Sequence, residues 1–148
     1  MLNLFQYLDG IIKYPMEDYE KIGKYVEERS GWDFSEVNME TENPEEKWNY
    51  KEVVKKFLSS GQEILDIGTG GGEFLLKIAE RVDKAYGIDI KNSMIRKARE
   101  NLKNSEVNNV EFKVADSQDL PFLENKFEVV ICRHAPFSVK EVSRVLKE

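Results

Sequence analysis

Four glycines fall within five residues in the stretch Asp66-Ile67-Gly68-Thr69-Gly70-Gly71-Gly72-Glu73. Glycine lets a backbone turn sharply and approach a ligand with no Cβ in the way. The helix expected after this turn would offer free N–H groups and a positive dipole end, which suit a carboxylate or a phosphate. A tight strand-to-helix turn is the plainer alternative, but a bare turn needs less conformational freedom than this. Asp89 ends the run Gly87-Ile88-Asp89-Ile90, about 20 residues downstream, where a carboxylate can accept from both hydroxyls of a ribose. Standing alone it would read as a helix cap or a solvated aspartate; its place at a strand end favours the ligand reading. A third loop, Ala115-Asp116-Ser117-Gln118-Asp119-Leu120-Pro121-Phe122, holds a carboxylate that could accept from an exocyclic amine, beside backbone N–H groups for a ring nitrogen. The same loop also reads as a polar turn stapled by Leu120 and Phe122.

These loops need a scaffold, and the hydrophobic pattern supplies one. Short apolar runs at Ile64–Ile67, Ala85–Ile90, Val110–Ala115 and Phe127–Cys132 read as four strands. Between and after them, helices are expected over Glu73–Arg81, from Asn92 or Ser93 as a cap through Met94, Ile95, Ala98 and Leu102, and over Ser138–Lys147. Strands alternating with helices imply parallel pairing and a doubly wound, Rossmann-like α/β sheet. Each of the three loops then follows the carboxyl end of a strand, where open α/β sheets bind ligands. Residues 1–60 read as a helical segment and 61–148 as the α/β core. In the first part, helices are expected over Glu17–Arg29 and from about Lys47 to Leu58, joined by a loop holding Trp32 and Phe34.

A dinucleotide-binding fingerprint competes for the glycine loop, and it fails. G-x-G-x-x-G would need glycine where Glu73 stands, or, in the other frame, where Leu75 stands. Asp66 and Asp116 are also surplus to it.

Leu65-Asp66-Ile67-Gly68-Thr69-Gly70-Gly71-Gly72 resembles motif I of the class I S-adenosylmethionine-dependent methyltransferases. Gly87-Ile88-Asp89-Ile90 is similar to that family's second motif, and Ala115-Asp116 with Leu120-Pro121-Phe122 to its third. Phe127-Glu128-Val129-Val130-Ile131 and Val142-Ser143-Arg144-Val145-Leu146-Lys147 resemble its fourth strand and the helix after it. The resemblance implies S-adenosylmethionine as cofactor. Gly68 and Gly70 would hold its methionine end, with Asp66 near the amino group and Asp89 on the ribose hydroxyls. Ile90 would pack on adenine and Asp116 would meet the adenine amine, with Ser117 or Gln118 adding backbone contacts. Arg133-His134-Ala135-Pro136 follows the fourth strand, where family members carry substrate-facing residues. His134, the single histidine, could act as a general base through its near-neutral pKa or simply make a structural hydrogen bond. In this family the sheet normally continues past the helix with a fifth strand and two more. With the sequence ending at Glu148, the expected sheet leaves the fourth strand at an edge, open to pairing with a second copy of the chain.

Composition narrows the class further. The chain has 148 residues, 41% hydrophobic and 34% charged, with a formal net charge of −6. That balance suits a globular domain and offers nucleic acid no general attraction, so a small-molecule acceptor is the expectation. The Asn/Asp-Pro-Pro-Tyr/Phe motif of amino-directed nucleic-acid methyltransferases is missing. No apolar run approaches the roughly 20 residues of a membrane span. Met1–Ile12 carries Asp9 and no basic region, so no signal peptide is expected. Cys132 is the single cysteine, which removes intrachain disulfides and cysteine metal clusters, and the cytoplasm is the expected compartment. Two functional classes follow: a methyltransferase, or a cofactor-binding fragment without turnover.

Trp32, Phe34, Trp48 and Tyr50 flank an acidic stretch and could either cover the cofactor or anchor helices to the sheet. If Trp32 serves the acceptor, Trp32→Ala lowers acceptor use more than cofactor affinity. Equal losses in a paired kinetic and binding measurement would assign it to anchoring.

Overall fold

The computed structural model describes residues 49–147. The helix expected over 17–29, the loop after it, and Trp32, Phe34 and Trp48 lie outside the described residues. The described chain opens with helix α1 (Tyr50–Lys55), whose first turn is capped by the Asn49 side chain accepting from the Glu52 N–H. Strand β1 (Glu63–Ile67) follows, then α2 (Glu73–Ile78), which tightens into a 3-10 turn over Ala79–Arg81. Next come β2 (Lys84–Asp89), α3 (Asn92–Lys103), β3 (Val110–Val114), β4 (Val129–Cys132) and α4 (Val139–Val145).

Among the described residues the strands form one four-stranded sheet in the order β3-β2-β1-β4, and every pairing is parallel. β1 and β2 lie at the centre and are buried almost throughout, as strands covered on both faces are. Alternation along them divides the core in two. Ile64 and Ala85 face Val54, Leu75, Ile78, Ile95, Ala98 and Phe112, which come from α1, α2, α3 and β3. Leu65, Ile67, Tyr86 and Ile88 face Leu120, Phe127 and Val145. On this second face the rings of Tyr86, Phe122 and Phe127 meet edge to face, with centroids 5.0–5.5 Å apart.

Among the boundaries that differ from the sequence expectation, three have a local reason. The fourth strand begins at Val129 rather than Phe127. Phe127 instead makes a single parallel bridge to Leu146, donating its N–H to Val145 O and accepting from the Lys147 N–H. That bridge needs an extended residue, so α4 stops at Val145 and not at Lys147, with Leu146 at ψ 140°. At the start of α3 neither Asn92 nor Ser93 is the cap. Lys91 holds that position without a side-chain bond, and its N–H is taken by Asp89 Oδ1 at 2.9 Å.

Phe112 reaches from β3 across β2 to the glycine turn. A Cβ on Gly87 would lie 2.7 Å from its ring, and a Cβ on Gly72 would collide with the ring and lie 3.2 Å from Ala98 Cβ. Gly72 also has φ +76°, so the position excludes a side chain on two counts. Among the described residues no helix is long and apolar enough to cross a membrane.

Because the Phe112 ring fills the space those glycines leave, Phe112→Ala should destabilise the fold by about 3–5 kcal/mol, the range for truncating a buried aromatic. Urea unfolding checks this, and a loss under about 1 kcal/mol would mean that the site collapses around the smaller residue.

Candidate functional site

The strand order places the site. The chain passes from β1 outward to β2 and β3, then crosses back to lay β4 on the other side of β1, so the order reverses between β1 and β4. Open α/β sheets bind ligands at such a reversal, beyond the carboxyl ends of the strands. Asp66, Gly68 and Gly70 stand at or just beyond the end of β1; Asp89 closes β2 and Ile90 follows it. Asp116, Ser117 and Gln118 follow β3, and Arg133 and His134 follow β4. The structure therefore gathers all the candidate residues within the described chain along one edge, while Trp32 lies outside the described residues.

The glycine turn is pinned to β2 by three consecutive N–H groups. Gly68 and Thr69 both donate to Ile88 O at 2.9 Å, and Gly70 donates to Asp89 Oδ2 at 3.1 Å. Asp89 thus accepts from Gly70 on one oxygen and from Lys91 on the other, which fixes the carboxylate between two elements. Gly68 (φ +72°) has Ala135 pressed against the place of its missing Cβ, so the segment after β4 packs directly on the turn. Gly70 (φ +57°) is different: a Cβ there would meet nothing within 4 Å. The backbone is bare on that side, and the space beside it is open to a ligand. Ile90 is 67% exposed at the same edge, an apolar surface beside a fixed carboxylate.

Asp66 is buried, and burial pushes its carboxyl up to about 7. The Thr69 hydroxyl and the Arg133 guanidinium oppose that rise, and Asp89 adds to it. The buried Thr69 hydroxyl lies close enough to Asp66 to favour its carboxylate as a donor, although it falls short of full hydrogen-bonding geometry. The Arg133 guanidinium lies over the rings of Tyr50, 5.0 Å to the centroid, and Phe74, 5.5 Å. Burial, and then Asp66, push the Tyr50 phenol well above its ordinary range, with Arg133 acting against them.

After β3, Asp116 Oδ1 accepts from the Gln118 N–H at 2.8 Å, and Asp116 O accepts from the Asp119 N–H. This is the polar turn expected of the loop, and it leaves the Asp116 carboxylate at the surface. His134 adopts φ +63°, a left-handed backbone that non-glycine residues occupy at some energetic cost. Partial burial and Arg133 lower its pKa, so the ring is neutral at pH 7 and able to accept a proton.

Sequence reasoning missed several supporting contacts. Asn101, on α3, donates to Gly71 O at 2.9 Å and to Glu73 Oε1 at 3.3 Å, tying the glycine turn to a helix thirty residues away. The stacking of Arg133 on Tyr50 and Phe74 joins three separated segments. Neither leaves a mark in sequence spacing, because the partners meet only after the sheet has formed.

The family described as a methyltransferase domain matches residues 58–148. "Uncharacterized methyltransferase YcgJ" of Bacillus subtilis is 33% identical over 92 residues, 57% of this chain and 36% of its own length. Its crystal structure superposes with a TM-score of 0.63 at 31% identity, covering 66% of this chain and 46% of that one. The ribosomal protein L11 methyltransferase of Dictyoglomus thermophilum is 36% identical over 103 residues, 66% of this chain and 33% of its own length. The ubiquinone/menaquinone biosynthesis C-methyltransferase UbiE of Rickettsia bellii is 29% identical over 106 residues, 66% of this chain and 42% of its own length. The chain thus spans between a third and a half of the length of these relatives.

The raised Asp66 pKa has a definite consequence for stability. The folded chain holds that proton up to about pH 7, whereas an unfolded aspartate releases it near 4. This contribution is fully present below about pH 4 and is lost as pH rises through about 7. Asp66→Asn should therefore be less pH-sensitive than the wild type across that window and gain on it in melting temperature by pH 8. An unchanged difference between the two proteins from pH 4 to 8 would show that Asp66 titrates as an ordinary surface carboxylate.

Proposed function

We propose that this chain, which belongs to the methyltransferase domain family, binds S-adenosylmethionine across the carboxyl ends of β1, β2 and β3 and presents it to a small-molecule acceptor beside β4. The observation that carries this reading is the pair formed by Gly70 and Asp89: open space on one side of a bare backbone, and a carboxylate locked beside it. Such a carboxylate can accept from two vicinal hydroxyls without first having to be ordered.

In this reading Gly68 and Gly70 receive the methionine end, and Asp66 lies near its amino group. Asp89 takes the ribose hydroxyls, Ile90 covers one face of adenine, and Asp116 accepts from the adenine amine. The Gln118 N–H is already committed to Asp116, which leaves the Ser117 N–H to meet a ring nitrogen. The bound cofactor supplies an activated methyl group on a sulfonium. The protein's own task is then alignment of the nucleophile and exclusion of water. Where the acceptor has to lose a proton, His134 is the base at hand, with a neutral ring just after β4. Arg133 and Trp32 are the residues for the acceptor side.

The acidic net charge of −6 supports a small acceptor over nucleic acid, and the quinone-pathway name of one relative agrees with it. The protein-directed name of another relative keeps the acceptor separate from the cofactor argument. The span of less than half of each relative supports a second reading, in which these residues bind cofactor without turning over by themselves.

Calorimetric titration with S-adenosylhomocysteine tests the site. The wild type should bind, and Asp89→Ala should weaken binding about 10- to 100-fold, the loss expected on removing hydrogen bonds to a charged group. A folded wild type that fails to bind, or an Asp89→Ala protein that binds equally well, would refute the assignment. Radiolabelled methyl transfer to acceptor pools then separates enzyme from binding fragment.

A further inference from the structure

The loop after β3 is held by a side-chain pair on α4. Glu141 and Arg144, one turn apart, form a two-pronged ion pair: Arg144 Nε reaches Glu141 Oε1 at 3.0 Å and Nη2 reaches Oε2 at 2.6 Å. Both side chains continue to the loop backbone. Glu141 Oε2 accepts from the Leu120 N–H at 2.9 Å. Arg144 donates to Leu120 O at 2.9 Å and to Phe122 O at 2.7 Å. Three backbone groups within three residues are thus satisfied by one side-chain pair. The planar guanidinium can do this because its donors diverge in a fixed fork, which a lysine lacks.

The rest of the loop has little else to fix its path. Leu120 is buried and Phe122 stacks in the ring trio, but Asp116, Gln118 and Asp119 are exposed and are organised by local turn bonds. Two apolar anchors give a loop depth without fixing its rotation, whereas directional hydrogen bonds fix both. Arg144 and the Leu120 N–H also hold the Glu141 carboxyl far down, at about 2, so the pair stays charged across the physiological range.

We propose that Glu141 and Arg144 are positioning residues for nucleobase selectivity: by fixing the backbone of Leu120 and Phe122 they set where Asp116 and Ser117 meet the edge of the base. This inference rests on the cofactor reading above and deepens it. Adenine presents a donor amine where hypoxanthine presents an acceptor oxygen, so a held Asp116 carboxylate discriminates between them and a loose one does not.

The test compares S-adenosylhomocysteine with S-inosylhomocysteine by calorimetry on the wild type, Arg144→Lys and Glu141→Gln, with thermal melts and circular dichroism confirming each fold. The wild type should prefer the adenine ligand. Both variants should lose about 10-fold in affinity for it, equivalent to about 1.4 kcal/mol, while binding the hypoxanthine ligand as before, so that the preference shrinks by the same factor. A preference retained in both variants would overturn the proposal even if overall affinity fell, since a merely structural role weakens both ligands alike. Amide exchange on the ligand-free chain decides the clamp independently. The Leu120 amide should exchange about 10-fold faster in Glu141→Gln, with the β1 amides unchanged; equal exchange would overturn it. A wild type that binds neither ligand would refute the cofactor reading and the selectivity with it, and the exchange result would still say whether the pair holds the loop.

Discussion

Three consecutive N–H groups of the glycine turn, from Gly68, Thr69 and Gly70, point at the end of β2, two of them to Ile88 O and the third to Asp89. For that to happen the turn must lie almost on the neighbouring strand, and no side chain can stand between them. The lack of a Cβ at Gly72 and Gly87 makes room for the Phe112 ring, which packs against the turn and β2 together. Asn101 then secures the turn from α3. Ligand-binding geometry depends on small displacements, and here the backbone of the glycine turn is itself bonded to β2 and α3.

The same edge concentrates charge in a way that burial makes consequential. Asp66 lies beneath the surface with a carboxyl whose ionisation is opposed by desolvation and by Asp89, and favoured by Arg133 and Thr69. Arg133 is itself held against Tyr50 and Phe74, so its charge is placed by aromatic packing. A buried carboxyl on β1 and a guanidinium after β4 thus flank the point where the strand order reverses. In the proposed cofactor reading, an ammonium group arriving beside Asp66 would favour its ionised form.

The second face of the sheet serves the site less directly. The Tyr86, Phe122 and Phe127 rings bring the loop after β3 back over β2, and Arg144 with Glu141 completes its backbone bonding. Because α4 follows β4 by way of the Ser138 cap, the segment after β4 and the loop after β3 are tied to one helix. Helix α4 is short, and its value lies in these connections more than in its own stability.

Much of this was legible in the sequence. Four apolar runs separated by helical patterns dictate parallel strands, and parallel strands in a doubly wound sheet deliver their following loops to one edge. The glycine cluster, Asp89 and the Asp116 loop could therefore be read as one site from their positions alone. Tertiary structure alone decided the interactions between segments that sequence keeps apart. It set the Gly70 N–H on the Asp89 carboxylate, 19 residues further along. It turned Phe127 into the partner of Leu146, and it set Asn101 on the glycine turn and Arg144 on Leu120 and Phe122. Hydrophobic periodicity records which face of an element is buried, but a directional bond across tens of residues depends on where the packed elements finally lie, and no local pattern encodes that distance.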